Sequence, residues 1–269
     1  VFVDIDPVDF CIHPQELSER ISPRTRAVIP VHLFGQTADM GAVMEAAGSV
    51  PVIEDCAQAW GADFHGRQVG SIGLMGAFSF FPSKNLGCFG DGGLITTADA
   101  GLDAKLRELR AHGQSGPYEH PTVGGNFRLD AIQAAVLRVK LPHVPGWVEG
   151  RRANAKRYRR LFEQSGLEST VETPAALPGR GHTFNQYVVR VPRRDELRAF
   201  LSERGIGAAV YYPLPLHLQP CFEHLGYGEG DCPIAEQASR EVLALPVFPE
   251  LAESELEQVV HTIEEFYAN

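Results

Sequence analysis

Four side chains between positions 55 and 84 carry most of the chemical capacity of this sequence. Lys84 lies in GAFSFFPSKNLGCFGDGG (76–93), after a short apolar run that has the length and aromatic content of a buried strand. An amine at the end of such a strand is placed for Schiff-base chemistry, and Gly87, Gly90, Gly92 and Gly93 would let backbone crowd a ligand. The alternative is an ordinary hairpin with a solvated lysine. Asp55 directly follows Pro51-Val52-Ile53-Glu54. Ligands of open α/β sheets bind outside the carboxyl ends of parallel strands, and a buried carboxylate there needs a cation or hydrogen-bond donors.

A protonated pyridine nitrogen is one such cation. Enzymes that use pyridoxal phosphate keep the ring cationic in this way, so that it accepts the electrons freed when a substrate Cα–H bond breaks. The competing reading of Asp55 is a cap on the turn that follows. Gln58 comes three residues later, and Ser79 precedes Lys84 by five, at the strand edge, where its hydroxyl can take a phosphate oxygen. The ordered set D-x-x-Q, then S-F-F-P-S-K-N-L-G, then G-D-G-G is far more specific than any one member.

These residues need a frame that delivers strand ends to one place. Residues 1–5 and the apolar run 27–31 read as strands, 14–21 as a short helix, and 39–47 as a helix with Met40, Val43, Met44 and Ala47 on one face, ended by Gly48. Residues 51–53 give the next buried strand. Strand, helix, strand at this spacing is a βαβ unit, and several build a mainly parallel sheet with helices on both faces. Beyond the lysine, 102–112 is an amphipathic helix and 113–125 a glycine-rich polar stretch. Residues 128–141 form a strong helix with Leu129, Ile132, Val136 and Val139 on one stripe, broken by Pro142 and Pro145. A basic helix, 151–164, links to a second part with strands at 184–191 and 208–212 and helices at 195–204, 234–243 and 253–267. The expected division is a large domain, 1–149, and a linking helix with a small α+β domain, 150–269.

At 269 residues the chain buries roughly three quarters of its unfolded surface. Its 44% hydrophobic and 22% charged content are those of a globular protein, and a net charge of −10 speaks against nucleic-acid or acidic-membrane partners. Five scattered cysteines without C-x-x-C spacing suggest reduced thiols, no metal site and a cytoplasmic setting. The chain starts with Val inside an apolar pattern, VFVDID, which reads as the remainder of a longer polypeptide.

The pieces VFVDIDP, IPVHLFGQ, VIEDCAQAWGA, FSFFPSKNLGCFGDGG, GGNFRLDAIQAAVLRVKL and VYYPLPLH resemble those of the DegT/StrS-type nucleotide-sugar aminotransferases over nearly the whole length. The resemblance implies an α/β fold, the pyridoxal phosphate-dependent transferase fold type I, whose N-terminal segment is missing here. It also implies roles. Lys84 binds the cofactor covalently and shuttles the proton, Asp55 meets the pyridine nitrogen, Gln58 the ring's phenolic oxygen and Ser79 the phosphate. Asn126 and Arg128, in GGNFRLD, are similar to residues that cross a homodimer interface to the partner's cofactor phosphate and sugar. Tyr212 and His217, in YYPLPLH, correspond to a loop lining the sugar pocket. Asn126, Arg128 and His217 read on sequence alone as loop and surface residues, Trp60 as core, and Ser83 and Asn85 as shaping the turn.

The expected reaction moves an amino group from glutamate to a keto-sugar nucleotide. The form of the lysine motif resembles members acting at C3, whereas those acting at C4 more often carry a His-Pro-Val-Lys type. A family dehydratase is the first alternative, but such members replace the lysine by histidine, and Lys84 opposes it. A regulatory or truncated relative without turnover is the second. The sequence departs from the family in lacking the N-terminal phosphate-binding turn and ring-stacking aromatic, and in having Leu74-Met75 where an Asp is common.

Overall fold

In a computed structural model, which describes residues 1–268, the segment around Asp55 is the centre of a small mixed sheet. Strand β1 (Ile53–Asp55) pairs in parallel with β4 (Met75–Ser79), Asp55 opposite Ala77, and β4 pairs antiparallel with β5 (Gly93–Thr96). On the other side of β1, Val28 and Val31 make parallel bridges to Val52 and Asp55. A two-residue hairpin, β2 (Asp63–Phe64) and β3 (Arg67–Gln68), lies between β1 and β4 in sequence. Helices α1 (Pro14–Arg20) and α2 (Met40–Ala47) pack together, and Leu17, Met40 and Val43 share a core with Val28 and Val52. Asp39 caps α2 by accepting the Ala42 N–H, and Gly48, with positive φ, ends it.

Several expected strands are shorter than read, and 27–31 contributes only the bridges at Val28 and Val31. In residues 1–5 only Ile5 pairs, with Ile12. The chain turns at once because Asp6 accepts the Val8 N–H, and Asp4 is drawn away to accept the Ile234 and Ala235 N–H groups. Residues 208–212 contribute a single bridge, Ala209 to Ala244, before Pro213 and Pro215.

Helix α3 (Ala100–Arg110) follows β5. Helix α4 (Ala131–Lys140) starts later than expected, with Asp130 at its N-cap position, so Arg128 precedes it. Its apolar stripe also faces the unexpected way. Ile132 and Val139 are 77% and 72% exposed, whereas Gln133, Leu137 and Lys140 lie on the side that meets the rest of the chain. Pro145 opens rather than breaks a helix, α5 (Val144–Gln164), where a missing N–H is harmless.

The second core is built by α5, β6 (Tyr187–Arg190), α6 (Arg194–Glu203), β7 (Val242–Leu245) and α8 (Glu253–Ala268). Tyr158 stacks on Tyr187 at 4.8 Å, and both are fully buried. Helix α7 (Pro233–Glu241) ends before the expected position, because Val242 to Leu245 leave it to pair antiparallel with β6, Val189 opposite Leu243. A four-residue apolar run continuous with a helix has no periodicity to betray it, so packing decides. Val144 and Val148 of α5 belong to a third cluster with Phe80, Leu86, Cys88 and Leu137, while Ala155, Tyr158 and Phe162 belong to the second core. All five cysteines are free. Among the described residues no helix is long and apolar enough to cross a membrane.

Candidate active site

The turn carrying Lys84 is shaped by its own backbone. The Lys84 N–H returns to the Phe81 carbonyl at 2.9 Å and the Cys88 N–H to the Phe80 carbonyl at 2.8 Å. A Cβ on Gly87 would lie 2.5 Å from the Pro82 carbonyl oxygen, and one on Gly92 would meet Leu129 and Cys88. Those glycines are therefore needed for folding the turn. Helix α4 clamps the far side: Gln133 accepts the Phe89 N–H, and the Lys140 ammonium donates to the Gly87 carbonyl at 2.6 Å. Trp60 packs edge-on against Phe78 at 5.1 Å and beside Phe80, a core residue as expected.

Lys84 is half-buried on this turn. Burial holds its ammonium below the ordinary lysine value, and the charge of Asp55 opposes that shift. The parallel register of β1 and β4 is what brings the two together, since both strands deliver their carboxyl ends to the same edge. One Asp55 oxygen accepts the Ala57 N–H at 3.0 Å, which is the capping role weighed from sequence. Its other oxygen receives no hydrogen bond from the described residues.

Gln58, buried, bridges two segments. Its Oε1 accepts the Phe34 N–H at 2.5 Å, and its Nε2 donates to the Tyr212 hydroxyl at 3.1 Å. Burial raises the Tyr212 phenol above its usual value, the Gln58 hydrogen bond opposes this, and the charge of Asp55 adds to it. Lys84, Asp55, Gln58 and Tyr212 thus form one group linked by hydrogen bonds or charge. Ser79 ends β4, and its hydroxyl oxygen accepts the Phe81 N–H at 3.2 Å.

The remaining expected residues lie apart from this group. Asn126 and Arg128 are exposed and bond to each other, Arg128 Nε donating to Asn126 Oδ1 at 3.0 Å. Asn126 also bridges Ala111. His217 is buried, with Nε2 3.0 Å from a Glu236 carboxylate oxygen that also takes the Gly230 and Cys232 N–H groups. The reading of His217 as a surface residue is corrected to a buried side chain holding the 228–232 turn.

Sequence reasoning passed over Glu54 and Thr183, and read Asn85 only as shaping the turn. Asn85 Nδ2 donates to the Thr183 carbonyl at 3.3 Å, and the Thr183 hydroxyl to the Gln58 carbonyl at 3.5 Å, which ties the lysine turn to the Gln58 segment. Position alone hinted at Glu54, a second acid beside Asp55 in a buried strand, and nothing in the sequence named its partners. It lies near His32 and Cys56 in the pattern of a metal site, but the imidazole and carboxylate atoms are already taken by hydrogen bonds.

The donor set fits pyridoxal phosphate. Asp55 keeps a carboxylate oxygen for a ring N–H, Gln58 Nε2 has a second proton to give, Ser79 has a hydroxyl proton, and the Lys84 amine bonds to no described residue.

Residues 1–264 match the DegT/DnrJ/EryC1/StrS aminotransferase family. The chain is 52% identical over 269 residues to a "Pleiotropic regulatory protein" of Geobacillus stearothermophilus, covering 99% of this chain and 72% of that one. It is 44% identical over 265 residues to a UDP-N-acetyl-3-dehydro-alpha-D-glucosamine 3-aminotransferase of Acidithiobacillus ferrooxidans, covering 98% and 70%. Its fold superposes on DesV of S. venezuelae, solved in complex with a ketimine intermediate, with a TM-score of 0.95 and 41% identity, covering 100% of this chain and 72% of that one.

Proposed function

Since the chain belongs to the DegT/DnrJ/EryC1/StrS aminotransferase family, we propose that it transfers an amino group from glutamate to C3 of a keto-sugar carried on a nucleotide. The observation that carries this reading is the convergence of a half-buried Lys84 and Asp55 at one sheet edge, with Gln58 and Tyr212 beside them. The site carries the lysine that a dehydratase of this family lacks. The position of amination follows the Acidithiobacillus relative, whose name specifies a 3-aminotransferase, and a 42% identical dTDP-3-amino-3,4,6-trideoxy-alpha-D-glucose transaminase of Streptomyces venezuelae.

Pyridoxal phosphate, when bound, supplies the electron sink and carries the amino group between the two substrates. The chain supplies the rest. Asp55 would hold a negative charge for the ring nitrogen, the second Gln58 Nε2 proton would serve the ring oxygen, and the Ser79 hydroxyl would take a phosphate oxygen. Lys84 Nζ accepts the proton from the donor's α-carbon and returns it, and its desolvation enlarges the neutral, basic fraction available for that task. Tyr212, held by Gln58 and half exposed, lines the sugar side, while His217, buried against Glu236, fixes the chain that follows.

The active form is a homodimer. Phe89, Phe127, Ile132 and Val139 are each more than 70% exposed, and Ile132 and Val139 lie on one side of α4 as large apolar side chains that a partner would cover. They adjoin Asn126 and Arg128, which reach the partner's site. The reaction takes place in the cytoplasm, consistent with five free cysteines.

The test is a panel of 3-keto and 4-keto sugars on UDP and dTDP, incubated with ¹⁵N-glutamate and pyridoxal phosphate. Mass and NMR spectra of the product should show ¹⁵N at C3. Nitrogen at C4, or none with any acceptor, would reject the assignment. The name of the 52% identical relative favours a second reading, a regulator without turnover, and total inactivity across the panel would support it.

A further inference from the structure

Behind Asp55 the same strand carries a second carboxylate that no reacting group touches. Successive side chains of a strand point to opposite faces, so Glu54 faces away from the site, and it is 0% exposed. Its Oε1 accepts the Ile72 and Gly73 N–H groups, each at 2.7 Å, and its Oε2 accepts the Gly70 N–H at 2.8 Å and a proton from His32 Nε2 at 3.1 Å. Burial works against the charged form, but this set of donors prevails and holds the carboxyl below its ordinary value.

The charge is not cancelled by its neighbour. His32 Nδ1 accepts the Ala38 N–H at 3.1 Å, so the hydrogen bonds assign the ring proton to Nε2 and leave the imidazole neutral. No lysine or arginine forms an ion pair with Glu54 among the described residues. A full negative charge is therefore buried one residue from Asp55, without a counter-cation.

Its four hydrogen bonds also gather the pieces of the site. His32 donates its backbone N–H to the Asp55 carbonyl at 3.0 Å and begins the segment whose Phe34 N–H holds Gln58. The 70–73 loop leads into β4 and so to Lys84.

We propose that Glu54 is a positioning residue for the cofactor's ring nitrogen, its buried charge reinforcing that of Asp55 and its hydrogen bonds fixing the segments that present Asp55, Gln58 and Lys84. This rests on the reading that Asp55 meets a protonated pyridine nitrogen.

The experiment compares the affinity of the cofactor-free protein for pyridoxal phosphate with that for an analogue having carbon in place of the ring nitrogen. Only the first can carry the charge that Asp55 and Glu54 stabilise. Glu54→Gln should reduce the preference for pyridoxal phosphate by about tenfold, the effect of one charge at roughly 10 Å in a protein interior, and Glu54→Asp should restore most of it. Equal weakening of both ligands marks a purely structural residue and overturns the proposal, as does an unchanged preference. Asp55→Asn is the control on the underlying reading. A preference lost in Asp55→Asn yet intact in Glu54→Gln rejects Glu54 alone, whereas a preference intact in Asp55→Asn rejects the pyridine contact itself. Where Glu54→Gln does not fold, the double variant His32→Gln, Glu54→Gln, whose amides can pair, takes its place. Failure of both to fold assigns Glu54 to folding only and overturns the proposal.

Discussion

Lys84 and Arg128 are both cations expected to serve one reaction, and the chain treats them in opposite ways. Lys84 sits on a turn pinned by Phe80, Phe81, Gln133 and Lys140, half-buried and within the field of Asp55. Arg128 stands outside α4, exposed, and among the described residues its side chain bonds to the equally exposed Asn126 alone. A side chain that works in its own subunit is held by that subunit. One proposed to work elsewhere stands exposed on its own chain, with large apolar side chains exposed nearby in sequence. In the proposed dimer, one chain fixes the internal half of the site and presents the external half to its partner.

The sharpest way to break this comparison is at Lys84. Lys84→Ala should lower turnover by on the order of 10⁴-fold or more, since it removes both nucleophile and proton carrier. Steady-state rates within tenfold of wild type would show that the buried half is not the catalytic one.

The next test asks whether the two halves come from different subunits. Lys84→Ala and Arg128→Ala homodimers should each be nearly inactive. In a mixed dimer with shared sites, one site collects both defects and the other neither, so activity should return to about half of wild type. Native mass spectrometry verifies the exchange; inactivity of a verified heterodimer would place Arg128 in its own subunit's site.

A milder perturbation addresses the face alone. Ile132→Asp with Val139→Asp puts charge on two exposed positions, so sedimentation should shift from dimer to monomer while the melting temperature at fixed concentration falls only by the lost association. A dimer that persists would locate the interface elsewhere.

Burial of Lys84 also predicts a pH dependence in the cofactor-free protein. Its folded pKa lies below the unfolded value of 10.5, so the unfolded state binds more protons between the two and stability rises with pH across that window. Lys84→Met should therefore melt higher than wild type near neutrality, and the gap should close as pH passes 10.5. A gap independent of pH would mean that the ammonium is not desolvated.

The smallest effect is expected at Tyr212. Tyr212→Phe removes one hydrogen bond, from Gln58, and should lower kcat/KM by roughly fivefold, the value of about 1 kcal/mol. A loss of 10³-fold would make the phenol a chemical participant.

That Lys84, Asp55 and Gln58 come together was legible, because fixed spacing and the shared carboxyl ends of two parallel strands deliver them to one edge. Helix α2 was legible for a similar reason, since its cap, period and glycine stop all agree. The direction in which α4 faces was not. Leu129, Ile132, Val136 and Val139 do form a stripe, but periodicity identifies an apolar face without saying which surface covers it. The strand after α7 was hidden because Val242 to Leu245 extend a helical pattern without a break and are claimed by β6. Glu54 escaped notice for the opposite reason. Its partners are three backbone N–H groups and one imidazole, and backbone donors have no sequence signature.

Helix α5 has a mechanical consequence. Its 21 residues make a rod roughly 30 Å long, with one end seated under the lysine turn and the other in the second core. Near its middle, Arg151 Nη1 donates to the carbonyls of Phe184, Asn185 and Val247, and Asn154 to that of Phe248. These bonds make a fulcrum on a stiff beam. A tilt of about 5° about this fulcrum would carry Gln164, roughly 17 Å away, through about 1.5 Å, so a displacement of the turn around Lys84 would reach the far core along the same rod.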